Sequence, residues 1–119
     1  MSVTFKHHDE ENRIEKCWYD SSNVLFSEID DKQDSLKEIK IVFKGGRTYK
    51  ILDVKINDYL MFRENVSQGV AYNKYLAVKN RYVIEKIENT DVSLLESEKQ
   101  LLIEQKENER LKILTERTN

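Results

Sequence analysis

The chain has 119 residues, a length suited to one domain, of which 39% are hydrophobic and 35% charged. Its net charge of −2 argues against non-specific binding along a nucleic-acid backbone, which needs a broad basic surface, but leaves room for a small basic pocket. Cys17 is the only cysteine, so an internal disulfide and cysteine-rich metal sites are excluded, and a reducing, cytoplasmic compartment fits best.

Residues 1–20 carry no apolar signal-peptide core, and no run approaches the length of a transmembrane helix, so no membrane partner is expected. With no proline and three glycines, few breaks and no flexible tether are expected. The whole chain, 1–119, reads as a single domain: a sheet core over 1–89 and a helix over 90–117.

Residues 3–7 (VTFKH) alternate apolar and polar as an edge strand does. The cluster that follows, His7 to Glu11, invites a metal reading, but adjacent histidines on a strand point to opposite faces and no distant ligand completes a set; a solvated turn is expected and no metal. Residues 13–19 (RIEKCWY) form a second strand with Ile14, Lys16 and Trp18 on one face, and Cys17 on the other reads as a core filler. Asp20 to Asn23 is a turn, 24–29 (VLFSEI) a third strand, and Asp30 to Ser35 another polar turn.

Residues 36–44 and 47–54 flank Gly45-Gly46, which predicts a two-residue hairpin turn, because glycine accepts positive φ without strain. Such a turn sets Phe43 opposite Thr48, Val42 opposite Tyr49 and Ile39 opposite Leu52. One face then carries Ile39, Ile41, Phe43 and Leu52 as core. The other carries Lys40, Val42, Lys44, Arg47, Tyr49 and Ile51, either as an ordinary half-exposed sheet face or as a platform for an anionic, ring-bearing ligand.

Asn57 to Glu64 starts like a helix capped by Asn57, with Tyr59, Phe62 and Val66 on its buried side. A polar loop with Ser67, Gly69, Tyr72 and Asn73 follows; Gly69 is expected to supply a special backbone conformation, and Asn73 to bond either the local backbone or a ligand. An apolar strand before Gly45-Gly46, then Tyr49, Val54, Tyr59, Phe62, Ser67, Gly69 and the Tyr72-Asn73 pair, resembles in order and spacing the KTSC domain found at the end of some lysyl-tRNA synthetases and alone in small bacterial and phage proteins. The likeness covers roughly residues 21–76. It departs where Ile51 replaces the family's second tyrosine and where Lys55 stands in place of a common proline. The resemblance implies RNA contact through the sheet.

Residues 81–88 (RYVIEKIE) alternate as a last strand. From Thr90 the period becomes helical, with a capping box at Ser93 and Glu96 and apolar residues in two patches separated by Glu104 to Arg110. A helix of about 35 Å outruns a small sheet, so the patch at Leu111 to Leu114 is expected to bury against another copy of the chain, the alternative being a frayed tail.

The fold expected is α+β: a small antiparallel sheet with a short helix and a long C-terminal helix. No paired catalytic carboxylates, activated nucleophile or Gly-rich phosphate loop is legible, so a binding protein rather than an enzyme is expected, without a cofactor. The layout is similar to that of phage Thoeris anti-defence sponges, which sequester cyclic nucleotide signals in oligomers. That likeness implies a homo-oligomer holding a cyclic nucleotide or a cyclic ADP-ribose isomer, with Tyr49 or Tyr72 stacking on a base, Asn73 on a base edge or ribose, and Arg47, Lys106 and Arg110 on phosphates. RNA binding through a KTSC-type sheet face is the alternative, and a purely structural assembly protein a third.

Overall fold

A computed structural model of the protein describes residues 2–30 and 35–117. Most of the polar turn expected at Asp30 to Ser35 lies outside the described residues. Six strands form one antiparallel sheet in chain order, β1 (Val3–Asp9), β2 (Ile14–Tyr19), β3 (Val24–Asp30), β4 (Leu36–Phe43), β5 (Thr48–Lys55) and β6 (Val83–Ile87). The helices are α1 (Ile56–Arg63), the single turn α2 (Gln68–Ala71) running into a π-helical stretch at Tyr72–Leu76, and the long α3 (Val92–Arg117). The fold is thus α+β, an antiparallel sheet with short helices and a long C-terminal helix.

The helices divide between the two faces of the sheet. On one, Tyr59, Phe62, Ala71 and Leu76 pack fully buried against Cys17, Val24, Ile41, Ile51 and Val54. In this layer the Ser27 hydroxyl joins the buried hydroxyls of Tyr19 (2.7 Å) and Tyr59 (2.8 Å), so none of the three is stranded. Burial pushes the Cys17 thiol up to about 11, which makes it an inert filler. On the other face, Leu95 and Leu102 of α3 cover Trp18, Phe26, Val42 and Phe5. The Trp18 indole donates to the Leu95 carbonyl at 3.2 Å, and Lys16 pairs with Glu98 at 2.7 Å. Register shifts between Val3 and Phe5 and between Val24 and Phe26 allow each of these strands to serve both cores, since one extra residue reverses the alternation of side chains.

The hairpin closes differently from the two-residue expectation. Phe43 N–H donates to the Arg47 carbonyl (2.9 Å) and Gly46 N–H to the Phe43 carbonyl (3.0 Å), leaving three residues, Lys44, Gly45 and Gly46, in the loop. Both glycines have φ of +97°. Ile41 therefore faces Tyr49, and Ile39 faces Ile51. This one-residue slip carries Arg47, Tyr49 and Ile51 to the side of Ile39, Ile41 and Phe43. The physical reason is Ile51: it is fully buried, and the two-residue register would have left it on the charged face. Leu52, expected in that core, is only half-buried and stands beside Asp53, whose φ of +55° marks the irregularity in β5.

Three local expectations also change. Lys55, not Asn57, occupies the N-cap of α1, and Val66 is 77% exposed because α1 stops at Arg63 and loses phase with it. The polar segment at 67–73 is helical rather than a loop: the Ser67 hydroxyl accepts from Val70 N–H at 3.4 Å and starts α2. At α3, Asp91 rather than the Ser93–Glu96 box does the capping, its carboxylate accepting from Ser93 N–H at 3.0 Å. The helix has 26 residues, about 39 Å, and its far half leaves Leu111, Ile113 and Leu114 each about half exposed.

The loop glycines separate two costs. A Cβ on Gly45 would meet nothing within 4 Å, whereas one on Gly46 would stand 2.6 Å from the Thr90 carbonyl oxygen. Gly45→Ala is expected to cost about 1 kcal/mol from its left-handed backbone alone. Gly46→Ala should cost about 3 kcal/mol, because a backbone atom must also move. Urea denaturation of the two variants checks the ordering.

Candidate functional site

The register of the hairpin places Phe43, Arg47 and Tyr49 side by side at the end of the sheet where the turn before β3 and the start of the π-helical stretch approach. Phe43 is the centre of the group. Its ring meets Tyr49 at 5.6 Å and 88° and Tyr72 at 5.2 Å and 86°, both edge-to-face. The Arg47 guanidinium carbon lies 5.4 Å from the Phe43 ring centroid, and among the described residues no carboxylate pairs with it. With Asn23, Gly69 and Asn73, these side chains line an open cleft of about 360 Å³.

Four of the residues singled out from the sequence, Arg47, Tyr49, Tyr72 and Asn73, come together here from two segments more than twenty residues apart in the chain. Tyr49 and Tyr72 are half-buried, and Arg47 and Asn73 exposed at the rim. The Asn73 carboxamide nitrogen donates to the Gly69 carbonyl at 3.2 Å, which fixes its orientation and leaves the oxygen unspent. The Tyr72 phenol ionises above the ordinary tyrosine value, first because of its burial and then because of the neighbouring Tyr49 phenol.

Lys106 and Arg110 are elsewhere. Lys106 crosses β1, with its ammonium 4.8 Å from the Phe5 ring centroid and donating to the Lys6 carbonyl at 3.3 Å, on the opposite side of the sheet. Arg110 is exposed one turn further along α3. Neither lines the cleft of its own chain. Asn23, Phe43 and Gly69 join the site only through the fold. Asn23 stands in a turn with no sequence signal beyond its polarity, and Phe43 carries a core pattern. Gly69 needs no special φ, since its role is close approach to Asn23.

The opposite sheet face carries a second hollow of about 210 Å³. A row of directly paired residues crosses it: His7, Lys16, Glu28, Lys40, Lys50 and Glu85, one from each strand. Lys40 and Lys50 are opposed like charges, and each has a carboxylate partner, Glu28 at 3.5 Å and Glu38 at 3.4 Å. Among the described residues no group of three His, Cys, Asp or Glu side chains is arranged to hold a metal ion, and no helix is long and apolar enough to cross a membrane. No protein-family model matches the sequence, and neither a curated protein nor a solved structure matches it.

The nearness of the two phenols at the cleft has a measurable consequence. A raised tyrosine value means that Tyr72 contributes stability fully below the ordinary tyrosine value and loses it as pH climbs through its own. In NMR titration with isotope-labelled tyrosine, Tyr49→Phe should shift the Tyr72 ionisation back toward the ordinary value without removing the effect of burial. An unchanged Tyr72 titration would mean that the two hydroxyls do not share the cleft.

Proposed function

We propose that this chain is a non-catalytic binding protein that sequesters a cyclic nucleotide or cyclic ADP-ribose type signalling molecule in the cleft around Phe43, in the manner of the anti-defence sponges whose layout it resembles. The observation that carries this reading is the convergence of a guanidinium with no carboxylate partner among the described residues, two tyrosines and a carboxamide on one aromatic-walled cleft. Its volume of about 360 Å³ is that of a compact ligand. Aromatic rings suit a base, and Arg47 suits one phosphate. RNA binding across the opposite sheet face has less support, because the lysines there are already neutralised by Glu28 and Glu38.

The test is mass spectrometry of small molecules released by heating the purified protein after incubation with nucleotide-rich extract, followed by calorimetry. An intact cyclic nucleotide should be recovered from the native chain. Arg47→Ala should weaken its binding at least about tenfold, the loss of one charge-assisted contact. Recovery of a linear product would make the protein an enzyme, and retention of full affinity in Arg47→Ala would place the ligand elsewhere.

Self-association is part of the same proposal. The half-exposed Leu111, Ile113 and Leu114 lie beyond the reach of the sheet, and a second copy of the chain is the occupant we propose for them. Sedimentation velocity should find a homo-oligomer for the full chain and a monomer, with little change in melting temperature, for a chain ending at Gln105. An oligomer unchanged by that truncation would move the interface off α3.

A further inference from the structure

Gly69 sits inside α2 with no left-handed backbone, so nothing in its own conformation demands glycine. Glycine within a helix costs about 1 kcal/mol relative to alanine. What its bare Cα permits is contact with the turn before β3: a Cβ there would lie 2.9 Å from the Asn23 carboxamide nitrogen and 3.4 Å from the Asn23 Cβ. Asn23 is held from the other side as well, its carbonyl accepting from Lys44 N–H of the hairpin loop at 2.8 Å. The hairpin and α2 thus seat Asn23 between them, at the edge of the cleft. Its carboxamide, the Tyr49 and Tyr72 hydroxyls and the Asn73 oxygen have no hydrogen-bond partner among the described residues.

We infer that Asn23 is the specificity-determining residue of the cleft, and that the ligand presents a ring edge carrying an amino group beside an acceptor nitrogen, as adenine does. This rests on the reading of the cleft as a nucleotide site. A carboxamide offers a donor and an acceptor side by side, which is the bidentate complement of the adenine edge. Asn73, whose nitrogen is committed to the Gly69 carbonyl, adds only an acceptor, which also suits an amino group. Phe43 and the tyrosines bind any flat ring, and Arg47 any anion; of the lining groups, Asn23 is the one whose pattern separates one base from another.

The experiment compares cyclic AMP with its analogue lacking only the exocyclic amino group, by calorimetry on the full-length protein. The native chain should prefer cyclic AMP by about tenfold or more, because a site built to bond a polar group rejects the ligand that lacks it. Asn23→Ala should reduce that preference to under about twofold by weakening cyclic AMP, which loses both contacts, more than the analogue, which loses only the contact to its ring nitrogen. Asn23 is exposed, so this variant should keep the native melting temperature. Gly69→Ala, with Asn23 intact but displaced, should show the same loss of preference. Equal binding of the two probes by the native chain, or an equal drop for both in Asn23→Ala, overturns the inference while leaving the cleft as a binding site. Failure of the native chain to bind either probe overturns this inference, while the nucleotide reading it rests on stands or falls by the ligand released on heating.

Discussion

The three-residue loop at Lys44 to Gly46 sets the register of β4 against β5, and the cleft depends on that register. A strand has a side-chain period of two, so adding one residue to the loop exchanges the faces of every following side chain. With the loop as it stands, Ile51 drops into the core, and Arg47 and Tyr49 follow it onto the same side. At the rim of the helical cover, beside Gly69, Tyr72 and Asn73, they border an open cleft instead of being fully buried. The burial of one isoleucine thereby decides where the guanidinium and the phenol point.

The same loop ties the hairpin to the rest of the molecule. Gly46 accepts from Thr90 N–H at 2.9 Å and from the Thr48 hydroxyl at 2.9 Å, while Lys44 donates to the Asn23 carbonyl. The start of α3, the turn before β3 and the rim of the cleft are therefore held by one short stretch of backbone. α3 gains its hold on the sheet through Leu95, Leu102 and the Trp18 indole within its first turns, and then runs on past β1.

Charge is distributed unevenly over the two faces. Lys16, Lys40 and Lys50 on the α3 side each pair with a carboxylate, Glu98 of α3, Glu28 and Glu38, so the charged row of that face is largely neutralised. Arg47 faces an aromatic ring instead of a carboxylate, which leaves its hydrogen-bonding capacity available. A near-neutral protein can in this way keep one local site for an anion without a basic surface.

The strands, the long helix and its two apolar patches were legible in the sequence, because each depends on local periodicity: two for strands, about 3.6 for α3. Tyr49, Tyr72, Arg47 and Asn73 stood out as aromatic or polar residues in a segment otherwise given to core. The loop length was not legible, since Gly45-Gly46 suits two-residue and three-residue connections alike and only the burial of Ile51 chooses between them. Nor was the helical state of 67–76, where polar residues read as loop until Ser67 and the buried Gln68, Ala71 and Leu76 are seen in place. Lys106 and Arg110 share a helical face with nothing in their own spacing to say which side of the sheet it crosses. Asn23 and Gly69 lie 46 positions apart, and the contact that makes both meaningful exists only after the sheet and α2 have packed. Periodicity is a property of neighbours in the chain, and so the sequence sufficed for elements; a cleft is a property of neighbours in space, and the tertiary structure alone assembled it.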